Sequence, residues 1–158
     1  MSVAFTKEGD SEAAAADLPD RPVSAHPNLV TPAGLATIDA ALTQARNEYA
    51  VAQAAGGIGA DRTAMARASR DLRYWTARRA TAQLIETTPG DTVRFGSRVT
   101  FDRSDGRRVA YAIVGEDEAD PAAGSISHVS PVARALFGKS VGDTAMIGGD
   151  EVEVVAVD

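Results

Sequence analysis

The amino-acid sequence predicts an α+β protein in which an antiparallel helical hairpin precedes a small, mostly antiparallel sheet domain with one short helix. Two stretches with helical apolar spacing flank a glycine-rich break at 56–59, which predicts two helices joined by a short turn. After the Thr-Thr-Pro-Gly segment at 87–90 the apolar period changes to two, which indicates strands. These observations divide the 158 residues into a flexible N-terminal extension (1–30), a coiled-coil arm (31–87) and a C-terminal domain (90–158).

The extension contains three prolines and few large apolar residues, so it lacks the material for a core. We therefore expect a solvated segment, with a short docking motif around Val3 and Phe5 as the alternative.

The arm begins at Thr31-Pro32, a hydroxyl N-cap followed by proline at the first helical position. Apolar residues then recur at alternating spacings of three and four, the pattern of a coiled-coil seam: Leu35, Ile38, Leu42, Ala45, Tyr49 and Ala52. The second helix is predicted from Asp61 to about Glu86, with its own seam at Met65, Ala68, Leu72 and Trp75, interrupted at Arg79. About 23 residues per helix give an arm roughly 35 Å long.

The C-terminal domain shows two hairpin signals and one helix signal. Strands are predicted at 97–103 and 107–114 around Ser-Asp-Gly, and at 144–147 and 151–157 around Gly-Gly-Asp. Between these pairs, Ser130-Pro131 begins a short helix that ends at Gly138.

Composition excludes several classes of enzyme. The chain has no cysteine, so it offers no disulfide, thiolate nucleophile or Cys-ligated metal. Its two histidines are too few for a histidine-rich metal centre. A net charge of −6 and 5% aromatic residues argue against a protein that binds mainly nucleic acid. No signal peptide or membrane span is predicted, which favours a cytoplasmic protein without membrane contact. The charge is −3 over 1–30, +2 over 31–86 and −5 over 87–158, so the arm is the basic segment.

Three C-terminal segments are distinctive: YAIVGEDEAD at 111–120, ISHVSPVARAL at 126–136 and GKSVGD at 138–143. Together with a helical hairpin that begins LVTPAGL at Leu29, they resemble the GreA/GreB transcription elongation factors over residues 29–158. The C-terminal motifs are specific, whereas the hairpin alone would match many proteins.

The resemblance implies that an FKBP-like C-terminal domain docks on bacterial RNA polymerase at the rim of the secondary channel, and that the arm enters this channel. It places the polymerase-binding residues at Val129, Ser130, Pro131 and Arg134. In the cleavage factors of the family, two tip carboxylates help to hold a second Mg²⁺ during hydrolysis of backtracked RNA, because such a site needs hard anionic oxygen ligands.

The arm tip departs from that family pattern, in which two acids are separated by two residues. Aligning Asp61 with the first acid puts Ala64 at the second, and Asp61 is the only acid between Glu48 and Asp71. The arm is also about six residues shorter than the resemblance implies. One carboxylate beside Arg62 is a poor recruiter of Mg²⁺, so we expect weak or absent stimulation of transcript cleavage.

Each of these residues also has a structural interpretation. Asp61 suits the N-cap of the second helix, Ser130 and Pro131 suit a helix start, and the arginines of the second helix suit a solvated face. The acidic run at 116–120 lacks the ligand pattern of a calcium loop and is interpreted as a solvated loop or part of the docking face. His128 is interpreted as a surface or packing residue.

The sequence therefore predicts a monomeric regulator of transcription elongation that binds RNA polymerase and contacts the transcript only indirectly. It would not itself be an enzyme and would need no cofactor or metal of its own, the Mg²⁺ of the polymerase active site being the only metal involved. The alternative is an active transcript-cleavage factor that uses Asp61. A more remote alternative is an FKBP-type peptidyl-prolyl isomerase.

Overall fold

A computed structural model describes residues 18–56 and 61–158 of the chain. Residues 1–17, with the candidate motif around Val3 and Phe5, and residues 57–60 of the predicted glycine turn lie outside this part. The elements in chain order are β1 (Leu29–Val30), α1 (Pro32–Ala54), α2 (Arg62–Thr81), β2 (Gln83–Leu84), β3 (Arg98–Asp102), β4 (Arg108–Val114), β5 (Ser125–Ser127), α3 (Pro131–Leu136), β6 (Thr144–Ile147) and β7 (Asp150–Val157).

The chain forms two compact units. The arm unit comprises described residues 18–25 and Ile38–Thr81, and the sheet unit comprises His26–Thr37 and Ala82–Asp158. This division differs from the boundaries expected from sequence, because residues 26–37, including the first turns of α1, pack with the sheet. The predicted fold class is confirmed: a helical hairpin is followed by a sheet with one short α-helix.

The arm unit is built on the predicted seam. Ile38, Leu42 and Ala45 of α1 and Ala68 of α2 are buried, while the positions between them on α1 are mostly exposed. Arg78 is also buried, at 1% exposure, three residues after Trp75. The seam therefore reaches Arg78, while its neighbour Arg79 lies on the surface and pairs with Asp39 at 2.5 Å.

The second helix ends five residues earlier than predicted. It stops at Thr81 rather than near Glu86, because the following backbone pairs in parallel with β1. The Gln83 amide donates to the Asn28 carbonyl at 2.8 Å, and the Ile85 amide donates to the Val30 carbonyl at 2.9 Å. Residues 26–30, predicted to lie in a flexible extension, are thus held inside the sheet unit by backbone hydrogen bonds.

The described part of the extension before residue 26 is largely exposed, but it is attached to α2. Asp20 pairs with Arg73 and Arg21 with Asp71, and the Arg21 guanidinium lies over the ring of Tyr74. Residues 18–25 are thus mostly exposed to solvent, and two ion pairs hold them on α2.

The sheet unit contains five strands in the order β5-β4-β3-β7-β6. The predicted hairpins are present, but β5 was not predicted and pairs with β4 in parallel. Gly148 and Gly149 have φ angles of 58° and 80°, the left-handed backbone that a two-residue hairpin turn requires. The core consists of Val93 in the segment before β3, alternate inward residues of the strands and one face of α3: Val93, Val99, Phe101, Ile113, Ile126, Ala133, Leu136, Ala145, Val152 and Val154.

Candidate functional site

Asp61 caps the N-terminus of α2. Its Oδ1 accepts hydrogen bonds from the Thr63 amide at 3.0 Å and the Ala64 amide at 3.1 Å. These bonds satisfy two of the amides that a helix start leaves without an intrahelical partner. Asp61 and Ala64 are both exposed. Ala64 occupies the third helical position, where a Glu or Gln would complete a capping box.

Among the residues that the structure describes, Asp61 is not joined by other metal-ligating side chains. Within 18–56 and 61–158, no group of three or more His, Cys, Asp or Glu side chains is arranged to hold a metal ion. Asp61 is a single carboxylate that already accepts two backbone hydrogen bonds. The geometry therefore defines a helix cap and does not supply a set of ligands.

The four predicted docking residues lie together at the start of α3 in the sheet unit. Ser130 has an extended backbone, and its Oγ accepts a hydrogen bond from the Ala133 amide at 3.2 Å. Pro131 follows at the first helical position, and the Val129 amide donates to Ser127 Oγ at 3.2 Å. Pro131 and Arg134 are exposed and, three residues apart, share one helix face.

This turn rests on the core of the sheet unit. Ala133 and Leu136, on the opposite face of α3, are both 0% exposed. The preceding His128 is buried and contacts Phe95 edge to face, with ring centroids 5.5 Å apart. His128 is thus a packing residue, one of the two roles considered for it.

The acidic loop after β4 has a structural role that the sequence did not reveal. Glu118 Oε2 accepts a hydrogen bond from Thr31 Oγ1 at 2.6 Å, and the same hydroxyl accepts the Gly34 amide at 2.9 Å. A carboxylate at the N-terminus of α1 is also favoured by the helix dipole. A Cβ on Gly34 would lie 2.5 Å from Glu118 Oε2, so a larger residue here would displace this carboxylate from the Thr31 hydroxyl. In the sequence, only the glycine within the first turn of the predicted helix hinted at this close approach.

The perturbed titrating groups lie at the ends of the β3–β4 and β6–β7 hairpins. A side-chain hydrogen bond from Arg108 lowers the pKa of Asp102, and the same bond raises the pKa of Arg108. Hydrogen bonds from the Arg107 backbone and side chain lower the pKa of Asp105. The pKa of Asp150 is lowered by the Ser104 hydroxyl and then by Arg103. These are surface ion pairs and polar contacts rather than a proton-transfer site.

No helix in the described part of the chain is long and apolar enough to cross a membrane. Taken together, the fold and site define a two-unit protein with a capped helical arm and a sheet domain that presents a rigid Ser-Pro turn.

Comparisons with known proteins identify the family. The family described as "Transcription elongation factor, GreA/GreB, C-term" matches residues 88–158. A transcription elongation factor GreA of Nitratidesulfovibrio vulgaris is 38% identical over 125 residues, covering 74% of this chain and 76% of that protein. The GreA of Desulfovibrio desulfuricans is 40% identical over 111 residues, covering 68% and 67% respectively. The chain therefore belongs to the GreA/GreB family of transcription elongation factors.

Coverage is lower for other relatives. The GreA of Methylococcus capsulatus is 46% identical over 89 residues, and the chain spans about half of its length, 56%. Among solved structures, GreA factor homolog 1 of Thermus thermophilus is 22% identical with a TM-score of 0.40, covering 84% of this chain and 99% of that one.

Proposed function

We propose that this protein binds RNA polymerase and regulates transcription elongation, with weak or no stimulation of transcript cleavage. The proposal is supported by membership of the GreA/GreB family and by relatives named as transcription elongation factors. It acts as a monomer, carries no metal of its own and influences the transcript only through the polymerase.

The observation that carries the second half of the proposal is the composition of the α2 start. Asp61 caps the helix, and Ala64 stands at the position where the family pattern has its second acid. A methyl group cannot contribute an oxygen ligand, so the arm would present one carboxylate where a hard cation needs several oxygens.

Ala64→Glu should restore a two-acid tip. It places a second carboxylate three residues after Asp61, on the same face of the helix and at the capping-box position. In complexes of RNA polymerase stalled in a backtracked state, we expect little transcript shortening with the natural protein and about tenfold or more faster shortening with Ala64→Glu, since one carboxylate contact to a metal is worth at least about 1.4 kcal/mol.

The matched control is Ala64→Gln, which has the same size and capping capacity but no charge. It should behave like the natural protein. Robust cleavage by the natural protein, abolished by Asp61→Ala, would contradict this proposal and establish the alternative of an active cleavage factor.

The docking half of the proposal depends on the Ser130 turn. Arg134 and Pro131 are exposed on a turn fixed by the core, and such a preorganised surface binds with little ordering cost. Arg134→Glu should weaken binding to RNA polymerase about tenfold or more, in line with reversal of a charge at an interface. Arg98→Glu, the same change at another exposed position of the sheet unit, is the control. Equal weakening by both variants would indicate a general charge effect instead.

The structure gives no support to the isomerase alternative. A proline-binding pocket needs aromatic walls open to substrate. In the sheet unit Phe101 is buried, Tyr111 packs against it with ring centroids 6.2 Å apart, and Phe137 packs on the same core. Phe95 contacts His128.

A further inference from the structure

A small cleft lies between residues 18–25, here called the strap, and the middle of α2. Its volume is about 240 Å³, and both of its walls belong to the arm unit. Asp20 and Arg21 line it on the side of the strap, and Arg70 and Arg73 line it on the side of α2. Pockets for drug-sized ligands measure about 300 Å³ or more, so this cleft suits a small ion or a single charged group.

The charges around the cleft do not balance. Three guanidinium groups line it, those of Arg21, Arg70 and Arg73. Among the described residues, the carboxylates at ion-pair distance from these groups are Asp20 and Asp71. This leaves an excess of one positive charge, which a bound anion would offset.

Arg70 is the least satisfied of the three arginines. Its Nε is buried and has no hydrogen-bond acceptor among residues 18–56 and 61–158, and its ion-pair partner, Asp71 Oδ1, is 3.6 Å away. The same Asp71 oxygen lies 3.3 Å from Arg21 Nη1, so two guanidinium groups share one carboxylate oxygen. Arg70 therefore gains from an additional acceptor in the cleft.

Arg73 shows how the cleft holds an anionic oxygen. Its Nε and Nη2 both donate to Asp20 Oδ1, at 2.8 and 2.6 Å. Guanidinium groups bind phosphate oxygens by the same paired hydrogen bonds. The Asp20 carboxylate thus occupies the place on Arg73 that a phosphate oxygen of a ligand would take.

Arg21 is held in position by aromatic neighbours. Its guanidinium carbon lies 3.9 Å from the centroid of the Tyr74 ring and 5.4 Å from that of the Trp75 ring. A donor that is already fixed loses little conformational entropy when a ligand binds. The cleft therefore contains a preorganised positive charge beside the two arginines of α2.

We propose that the cleft binds the phosphate group of a small molecule through Arg70, Arg73 and Arg21, and that this group replaces the Asp20 carboxylate on Arg73. Once Asp20 is displaced, the three arginines face only Asp71, and the excess of two positive charges matches a phosphate group with a charge of about −1.5 to −2. The strap precedes the segment that resembles the GreA/GreB factors, residues 29–158, so this site lies outside that resemblance and does not depend on the proposed effect on transcription.

Trp75, the only tryptophan, is the reporter for a direct test, because it lies next to Arg21. The full-length protein is titrated with inorganic phosphate at constant ionic strength, and binding is followed by fluorescence and by calorimetry. We expect saturable binding with a Kd of about 1 mM or lower. Arg70→Gln and Arg73→Gln should each raise the Kd about tenfold or more, because each removes charge-assisted hydrogen bonds.

Two further variants separate the site from general effects of charge and folding. Arg79→Gln makes the same change on α2 at a residue that pairs with Asp39 and does not line the cleft, and it should alter the Kd by less than about twofold. Asp20→Asn removes the competing carboxylate and should lower the Kd about threefold or more. A loosened arm would not produce this tighter binding.

A second probe, adenosine monophosphate, identifies the source of the phosphate group. An affinity equal to that of inorganic phosphate would assign the site to the free ion. Binding that is about tenfold tighter and still lost in Arg70→Gln would assign it to a phosphate group on a larger metabolite.

Three results would overturn the proposal. The first is the absence of saturable binding of either probe up to about 10 mM. The second is an equal increase of the Kd in Arg79→Gln and Arg70→Gln, which would indicate a general charge effect. The third is a short single-stranded RNA that binds through Arg70 and Arg73 about tenfold or more tightly than both probes, because the occupant would then be a nucleic acid.

Discussion

The N-termini of α2 and α3 are capped in the same way but differ in how the residue at the third helical position is packed. Asp61 and Ser130 each accept a hydrogen bond from the amide three residues ahead. At α2 that residue is the exposed Ala64, whereas at α3 it is Ala133, which is 0% exposed. A larger side chain at Ala64 would therefore point into solvent, while the turn at Ser130 is tied to the core. The two helix starts therefore differ in how strongly a substitution at the third helical position would disturb the packing.

Truncating a core side chain of α3 should change the unfolding free energy more than any other substitution considered for the two helix starts. Leu136→Ala takes a fully buried side chain out of the core and should cost about 2–5 kcal/mol of unfolding free energy. Hydrogen exchange of core amides such as Ile113, measured with urea unfolding, reports the sheet unit. Val141→Ala, at an exposed position of the same unit, should cost less than about 0.5 kcal/mol.

The fluorescence of Trp75, the only tryptophan, reports the arm unit separately. We expect its unfolding transition to shift less than that of the sheet unit in Leu136→Ala. Equal shifts would show that the two units unfold as one. The stability of the two helix starts could then not be assigned to separate units.

Removing the two caps should have smaller effects of similar size. Asp61→Ala and Ser130→Ala should each cost about 1 kcal/mol, the usual value of an N-cap. The loss should remain local in Asp61→Ala, with faster exchange of the Thr63 and Ala64 amides. In Ser130→Ala it should extend to amides of the sheet core.

Asp61→Asn is the control for the first variant, since asparagine caps a helix about as well as aspartate. It should retain nearly all of the stability. If Asp61→Asn were as unstable as Asp61→Ala, the charge of Asp61 and not its hydrogen bonds would be the important property.

The parts of the molecule that were predictable from sequence are those in which neighbours along the chain determine the structure. The caps at Thr31, Asp61 and Ser130 depend on contacts two or three residues away, and the seam depends on helical spacing alone. The motif at 126–136 also predicted the helix start at which Val129, Ser130, Pro131 and Arg134 lie together.

The features that were missed depend on distant partners. The bond between Thr31 and Glu118 joins residues 87 apart, and that between Asp20 and Arg73 joins residues 53 apart. No local pattern identifies such pairs, because an acidic loop and a proline-containing extension look solvated until the surface that binds them is known. The parallel pairing of β1 with β2 ended α2 early for the same reason.

The smallest expected effect is a loss of stability at low pH, to which the ion pairs at the hairpin ends contribute and the Ser130 turn does not. Hydrogen bonding to Arg108 holds the pKa of Asp102 below its ordinary value of 3.8, and the Ser104 hydroxyl, followed by Arg103, does the same for Asp150. Because the folded state binds the ionised form better, this stabilisation is complete above pH 3.8 and is lost as the pH falls through the lowered pKa values. The ion pairs are exposed, so we expect only a slight decrease in the urea midpoint between pH 5 and pH 2. Asp102→Asn should flatten this decrease, whereas Ser130→Ala should leave the slope of the urea midpoint against pH unchanged, because a hydroxyl cap does not titrate in this range. A slope altered by Ser130→Ala would connect the turn to the ionised hairpins and contradict their independence.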